Sequence, residues 1–238
     1  MTLTFLKTLQ ARGEVSAADA ETVLEFTRDQ VDIDPGQDIV AQGARPTSSC
    51  LMVSGYSVRY TILSDGARQI TAVHVPGDFV DLHSLFLNPM DHGVAALGPA
   101  RIARVPHGAL HAVIETRPEL TRLLWTMTVI DAAIFRQWLV ASGRQAADSQ
   151  VARFLCEMFV RLALVDRTDG LSFELPVTQG VLGDAMGIST VQANRSVQAL
   201  RRAELVQWKG AQVTILDWPG LATLGQFDDT YLNIRRRP

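Results

Sequence analysis

Cysteine is scarce: Cys50 and Cys156 are the two in 238 residues, far apart among apolar neighbours. Such a pair supports neither a disulfide framework nor a Cys-rich metal site, and reads as two buried free thiols. No stretch is read as approaching the ~18 apolar residues of a membrane span. The first 14 residues lack the charged start, apolar run and small-residue cleavage site of a secretory signal. These absences predict a cytoplasmic protein with no membrane partner. Basic charge is not in excess either, since 22 Lys and Arg face 25 Asp and Glu, for a net charge of -3. The sum hides a tilt: from Arg144 onward 11 basic residues face 10 acidic ones, whereas the remainder has 11 against 15. Binding DNA needs a local basic surface, not a basic chain.

What is present fits packed globular domains. Hydrophobic residues make up 47% and charged residues 20% of the chain, and its length favours two domains over one. Ser16-Ala17-Ala18-Asp19 reads as a capping box opening a short helix, with Val23, Leu24 and Phe26 as its apolar contacts. Beyond it, Pro35-Gly36, Ser54-Gly55, Asp65-Gly66, Pro76-Gly77 and Gly98-Pro99 punctuate short runs such as Cys50 to Val53, Ile70 to Val75 and Arg101 to Val105. Turn residues at these intervals predict a β-sandwich or jelly-roll barrel.

From Pro118 to about Ser142 the period is helical. Leu120, Leu123, Met127, Ile130, Ile134, Trp138 and Ala141 form one stripe, flanked by Leu124, Phe135 and Leu139. The stripe is expected to pair with a second copy, with packing on its own domain as the alternative. Gly143 to Asp148 is the expected hinge. A further amphipathic helix follows from about Ser149 to Val165, presenting Val151, Phe154, Leu155, Met158, Leu162 and Val165.

The most specific stretch is Pro176 to Leu216. Thr178 caps a short helix, Gly187 breaks it, and Ser189 caps the next, which continues through Arg202. Val181, Leu182, Ala185, Ile188, Val191, Val197 and Leu200 are expected to hold the two helices together. Thr190, Gln192, Asn194, Arg195 and Gln198 are left to face outward, as a helix entering the major groove requires. Two short strands around Lys209-Gly210 would form a wing that carries Lys209 to the phosphate backbone.

With Gly77-Asp78-Phe79, the helix from Pro118, Thr178, Gly187-Ile188-Ser189 and Arg195-Ser196, nearly the whole chain resembles the Crp/Fnr family, named for the cyclic-AMP receptor protein and the fumarate-nitrate regulator. The resemblance implies an α+β chain: an N-terminal β-roll like a cyclic-nucleotide-binding jelly roll (1–117), a long dimerisation helix with hinge (118–145), and a C-terminal winged helix-turn-helix (146–238). It further implies a homodimer on a palindromic operator in double-stranded DNA, regulating transcription beside RNA polymerase, and no enzymatic activity. The DNA contacts it implies are Thr178 and Ser189 on phosphates and Arg195 on a base; the polar face and wing read from the residues add Gln179, Thr190, Gln192, Asn194 and Lys209 as candidates, with Asn194 either reading adenine or stabilising the helix. The family's arginine and glutamate before Arg195 are replaced by Thr190 and Val191, so the operator is expected to differ from the usual half-site.

The signal-binding motifs depart further. Asp81-Leu82-His83 stands where the family places the glutamate of its nucleotide pocket, and His92-Gly93 where it places the arginine. Without that arginine a buried phosphate loses its charge-assisted pair, and Asp81 and Asp91 would repel it. Cyclic AMP is therefore not expected as the effector, and two separated cysteines do not support an iron-sulfur cluster. Asp81, His83, Asp91 and His92 are the candidate ligand residues for an unidentified small effector, with no metal ligands and no catalytic residues assigned. Two alternatives stand beside this reading: a ligand-independent DNA-binding scaffold, and a cupin-like metal-binding enzyme, against which the lack of a His-x-His pair counts. The Arg235-Arg236-Arg237 tail reads as a solvated charge run.

Overall fold

The structure is a computed structural model that describes residues 4–235; Arg236 and Arg237 of the basic tail lie outside them. Contacts divide the chain into two compact units, one of residues 1–61, 72–132 and 233–238, the other of residues 62–71 and 133–232.

The first unit opens with helices α1 (Thr4–Gln10) and α2 (Ala17–Glu25). The expected capping box is in place, with Ser16 Oγ accepting from the Asp19 amide at 3.1 Å. Val23 and Phe26 are buried, but Leu24 is half exposed and contributes little to the core. Helix α1 has no counterpart in the sequence reading. Strands β1 (Gln30–Ile33), β2 (Asp38–Val40), β3 (Ser48–Ser54), β4 (Ser57–Ile62), β5 (Arg68–His74), β6 (Gly93–Ala96) and β7 (Ala100–Pro106) form two antiparallel sheets, ordered β1-β7-β3 and β2-β6-β4-β5. The outer ends of β4 and β5 group with the second unit. Alternation along β3 splits its side chains between two cores: Leu51 joins Phe5, Val23 and Phe26, while Cys50 and Met52 join Ile33, Val94 and Ile102. A 3-10 turn, Leu82–Leu85, bridges β5 and β6, and α3 (His107–Thr116) follows β7.

Helix α4 spans Pro118–Arg144. Gly143 lies inside it, so the expected break there is absent and only Gln145 and Ala146 separate it from the next helix. By length and composition α4 is apolar enough to cross a membrane, with a mean hydropathy of 1.2 in its best window. This corrects the expectation that no stretch is apolar enough; Asp131 and Arg136 interrupt the apolar residues of this helix without lowering its mean below that level. The predicted dimer stripe turns inward: Leu120, Leu123, Ile130, Ile134 and Ala141 are buried within this chain. Trp138 donates its Nε1 hydrogen to Glu157 at 3.1 Å and stacks edge-on against Phe154. A different seam faces solvent, in which Trp125 is 72% and Leu139 64% exposed, with Val129 and Phe135 between them.

The second unit continues with α5 (Ala147–Leu164), β8 (Thr168–Asp169), β9 (Ser172–Glu174), α6 (Gln179–Met186), α7 (Thr190–Arg202), β10 (Val206–Lys209), β11 (Gln212–Ile215) and α8 (Trp218–Gly225). All six apolar residues expected on one side of α5 are buried. The wing is larger than a hairpin, because β10 and β11 extend through β9 and β8 into a four-stranded sheet. At the centre of this unit the buried Glu157 carboxylate accepts from Trp138, Arg161 and Tyr231. Burial pushes it above the ordinary carboxylate range, against the pull of Arg161.

Candidate nucleic-acid interface and the roll's histidine cluster

The two caps form as the residue types dictate. Thr178 Oγ1 accepts from the Val181 amide at 3.2 Å, and Ser189 Oγ accepts from the Gln192 amide at 3.1 Å. Between them Gly187 ends α6 in the left-handed region at φ 65°, with its amide bonded to Gly183 O. Only a residue without a Cβ adopts this conformation cheaply. Gly183, which the sequence reading passed over, is required for another reason: a Cβ there would lie 2.8 Å from Ile188 O. The turn is tight because α6 and the start of α7 touch backbone to backbone at this glycine.

This turn fixes which face α7 presents. Ala193, Ser196, Val197 and Leu200 are buried, while Thr190, Asn194 and Arg195 are exposed; Gln192 and Gln198 are half-buried. Among the described residues Arg195 makes no hydrogen bond or ion pair, so its guanidinium keeps its full donor capacity. Asn194 is committed in part, since its Oδ1 accepts from Gln179 Nε2 at 3.2 Å and thereby ties α7 to α6. Val191 is a correction: expected between the helices, it is 62% exposed on the Arg195 side. The helical phase set by Ala193, Val197 and Leu200 carried that signal. Thr178, Gln179 and Ser189 are also exposed. A groove of about 650 Å³ runs between Thr178, Gln179 and Gln198 on one side and Trp208 and Gly210 of the wing on the other. Lys209, exposed at the end of β10, stands beside the Gly210 turn, which Trp208 braces through Nε1 to Gly210 O at 3.1 Å.

In the first unit the four candidate ligand residues separate into two groups. Asp81 is fully buried and serves the fold: its carboxylate accepts from the Cys50 amide and, at 3.4 Å, from Ser84, within a network of Ser49, Ser84 and His107. It is not part of an open pocket. His83, Asp91 and His92 do come together. The His83 and His92 rings lie 5.0 Å apart, and Asp91 Oδ1 is 2.7 Å from His92 Nδ1. Burial pushes His83 down to about 4 and lowers His92, with the His92 ring and the nearby Arg59 acting in the same direction on His83. Both imidazoles are therefore neutral near pH 7. Arg59, unremarked in the sequence, is buried beside them and pairs with Asp131 of α4 at 2.7 Å. His83 also lines an apolar cavity of about 450 Å³ whose walls include Leu82, Leu110, Leu124 and Trp125.

Comparison with known proteins agrees with both halves of this description. A Cyclic nucleotide-binding domain model matches residues 30–117, and a Crp-like helix-turn-helix domain model matches residues 149–224. The chain is 28% identical over 206 residues to the nitrogen fixation regulation protein FixK of Bradyrhizobium diazoefficiens, a match covering 85% of each chain. It is 24% identical over 214 residues to the fumarate and nitrate reduction regulatory protein of Vibrio cholerae, covering 85% of this chain and 84% of that one. Among solved structures, FixK2 from Bradyrhizobium japonicum superposes with a TM-score of 0.74 at 24% identity, over 82% of this chain and 96% of that one.

Proposed function

Because the chain belongs to the Crp/Fnr family of DNA-binding transcription regulators, we propose that it works in the cytoplasm as a homodimer, laying two copies of α7 in successive major grooves of a palindromic operator. The observation that carries this reading is the outward face of α7, where an unpaired Arg195 and an exposed Val191 stand one turn apart beside a capped, rigid helix start. Arg195 reads guanine through two parallel hydrogen bonds, an interaction of about 1–3 kcal/mol in discrimination. Val191 offers an apolar surface to a thymine methyl, a readout available only in the major groove. Thr178, Gln179, Ser189 and Lys209 position the unit on phosphates, and Thr190 and Gln192 flank the base-reading pair. Asn194 acts mainly through its bond to Gln179.

Dimerisation uses the exposed seam of α4. Trp125, Val129, Ala132, Arg136 and Leu139 recur at spacings of four and three, the heptad pattern of a helix that meets its own copy. Functionally the chain divides into a roll (1–117), the dimer helix (118–145) and the winged helix-turn-helix (146–238). The roll takes its signal at His83, Asp91 and His92 and not from cyclic AMP, since among the described residues the arginine beside that cluster, Arg59, is paired with Asp131. The Arg59 to Asp131 pair links this region to α4, so a signal there biases the dimer only insofar as it favours one helix arrangement. Bound at a promoter, such a dimer meets RNA polymerase; its family is one of regulators, not of enzymes.

The test is selection of bound duplexes from a random DNA pool by the purified protein, with and without a small-molecule cell extract. The expected outcome is an enriched inverted repeat with a guanine and an adjacent thymine in each half. No enrichment in either condition would overturn the reading.

A further inference from the structure

The histidine cluster of the first unit holds an unmet demand. The Nε2 atoms of His83 and His92 are both buried, and neither has a hydrogen-bond partner among the described residues. His92 as a whole is only 8% exposed. A buried ring nitrogen left without a partner is costly, so a site that orphans two at once calls for an occupant. Elsewhere in the same unit His107 shows the usual solution, meeting Ser49 and Ser84 at 3.3 and 3.1 Å.

The geometry identifies what that occupant is. One donor atom from each of His83, Asp91 and His92 lies within 4.8 Å of the other two. Three ligands on one ion at about 2.0–2.2 Å stand roughly 3.3–3.7 Å apart, so the three close by up to about 1 Å when the ion binds. Asp91, with an 85% exposed side chain, is unhindered by packing, but its Oδ1 is bonded to His92 Nδ1 at 2.7 Å, so it reaches an ion on the two Nε2 atoms by giving up that bond. A water held by the two Nε2 atoms and Asp91 is the competing occupant, and the cobalt titration below separates the two; the neighbouring cavity beyond His83 is mainly apolar, with Thr121 and Thr128 in its lining. An anion would meet the Asp91 carboxylate, and Arg59, the nearby cation, is already engaged with Asp131.

We propose that His83, Asp91 and His92 form a binding site for one divalent transition-metal ion per protomer. Two imidazole nitrogens and one carboxylate suit zinc, cobalt, nickel or copper over magnesium or calcium, which take oxygen. Three protein donors leave at least one position for water or a small ligand. The ion sits one ion pair away from α4, through Arg59 and Asp131, and this gives the roll a charged signal in place of a nucleotide. The assignment deepens the reading of this cluster as the signal site and is independent of the DNA-binding reading.

Cobalt(II) supplies the test, because imidazole and carboxylate ligation gives it visible ligand-field bands. Full-length, untagged protein stripped of metal is titrated with cobalt(II), then with zinc(II). The expected result is one cobalt per protomer, displaced by zinc, with affinity reduced at least about 100-fold in the His83→Gln, His92→Gln double variant and about 10- to 100-fold in Asp91→Asn. The variants should still bind the selected operator when metal-free, which separates loss of the metal site from loss of the fold or of DNA binding. Unchanged cobalt binding in the double variant, or no ligand-field bands in the unaltered protein at millimolar cobalt, would overturn the assignment.

Discussion

The winged helix-turn-helix and the roll treat their polar side chains in opposite ways. In the former, Thr178, Ser189, Gln179 and Asn194 are engaged in bonds that hold α6 and α7 in place, while Arg195 is exposed and without a partner among the described residues. In the roll, His83 is half-buried and His92 buried, and each has a buried ring nitrogen unsatisfied. An exposed guanidinium without a partner is solvated and ready to read a ligand at small cost, whereas a buried imidazole without a partner is destabilised until something arrives. One region is therefore organised before it meets DNA, and the other is completed by what it binds.

The largest effect that could break this comparison lies at Arg195. Arg195→Ala removes a charged donor that no fold contact uses, so the thermal midpoint should stay within a few degrees of the unaltered protein. Operator affinity should fall by roughly 1–3 kcal/mol in each half-site, and preference at one guanine should relax; fluorescence anisotropy at fixed salt measures both. A loss of stability in place of specificity would show that Arg195 belongs to the fold. Next in size is the α4 seam. Leu139→Glu places a charge on the exposed face and should shift the dimer toward monomer at micromolar concentration, by about 3 kcal/mol for two copies of a buried leucine. Sedimentation velocity would detect this, and a persisting dimer would return the interface to some other surface.

What could be read from the sequence follows from how local each signal is. Caps, the Gly187 break and the strand turns depend on residues within a few positions of one another, and they stand where the sequence predicted them. The stripe from Leu120 to Ala141 was legible as a helix face but not as a face toward its own chain, because α4 is apolar on two sides and periodicity cannot say which side meets which surface. Helix α1 and strands β8 and β9 are too short to carry a period. The roll's cluster depends on a fold that brings His83 of one turn against His92 at the start of β6, and nothing at a spacing of nine residues announces it.

Val191 was misplaced for a different reason, and it supplies the finest test. Ala193, Val197 and Leu200 set the buried phase of α7, and at about 100° per residue Val191 lies about 200° from Ala193, well off the inward face. Reading it as core followed its apolar character and ignored its phase. An exposed valine on a base-reading surface loses little by meeting water, but gains when it covers a methyl group, at about 0.8 kcal/mol per carbon buried. Replacing the operator's thymines one at a time by deoxyuridine deletes that methyl without altering base pairing. One position in each half-site should then lose about fourfold in affinity, and Val191→Ala should abolish the difference between thymine and uracil there. If every thymine tolerates the exchange, Val191 does not read DNA, and specificity on this helix falls to Arg195 and its polar neighbours.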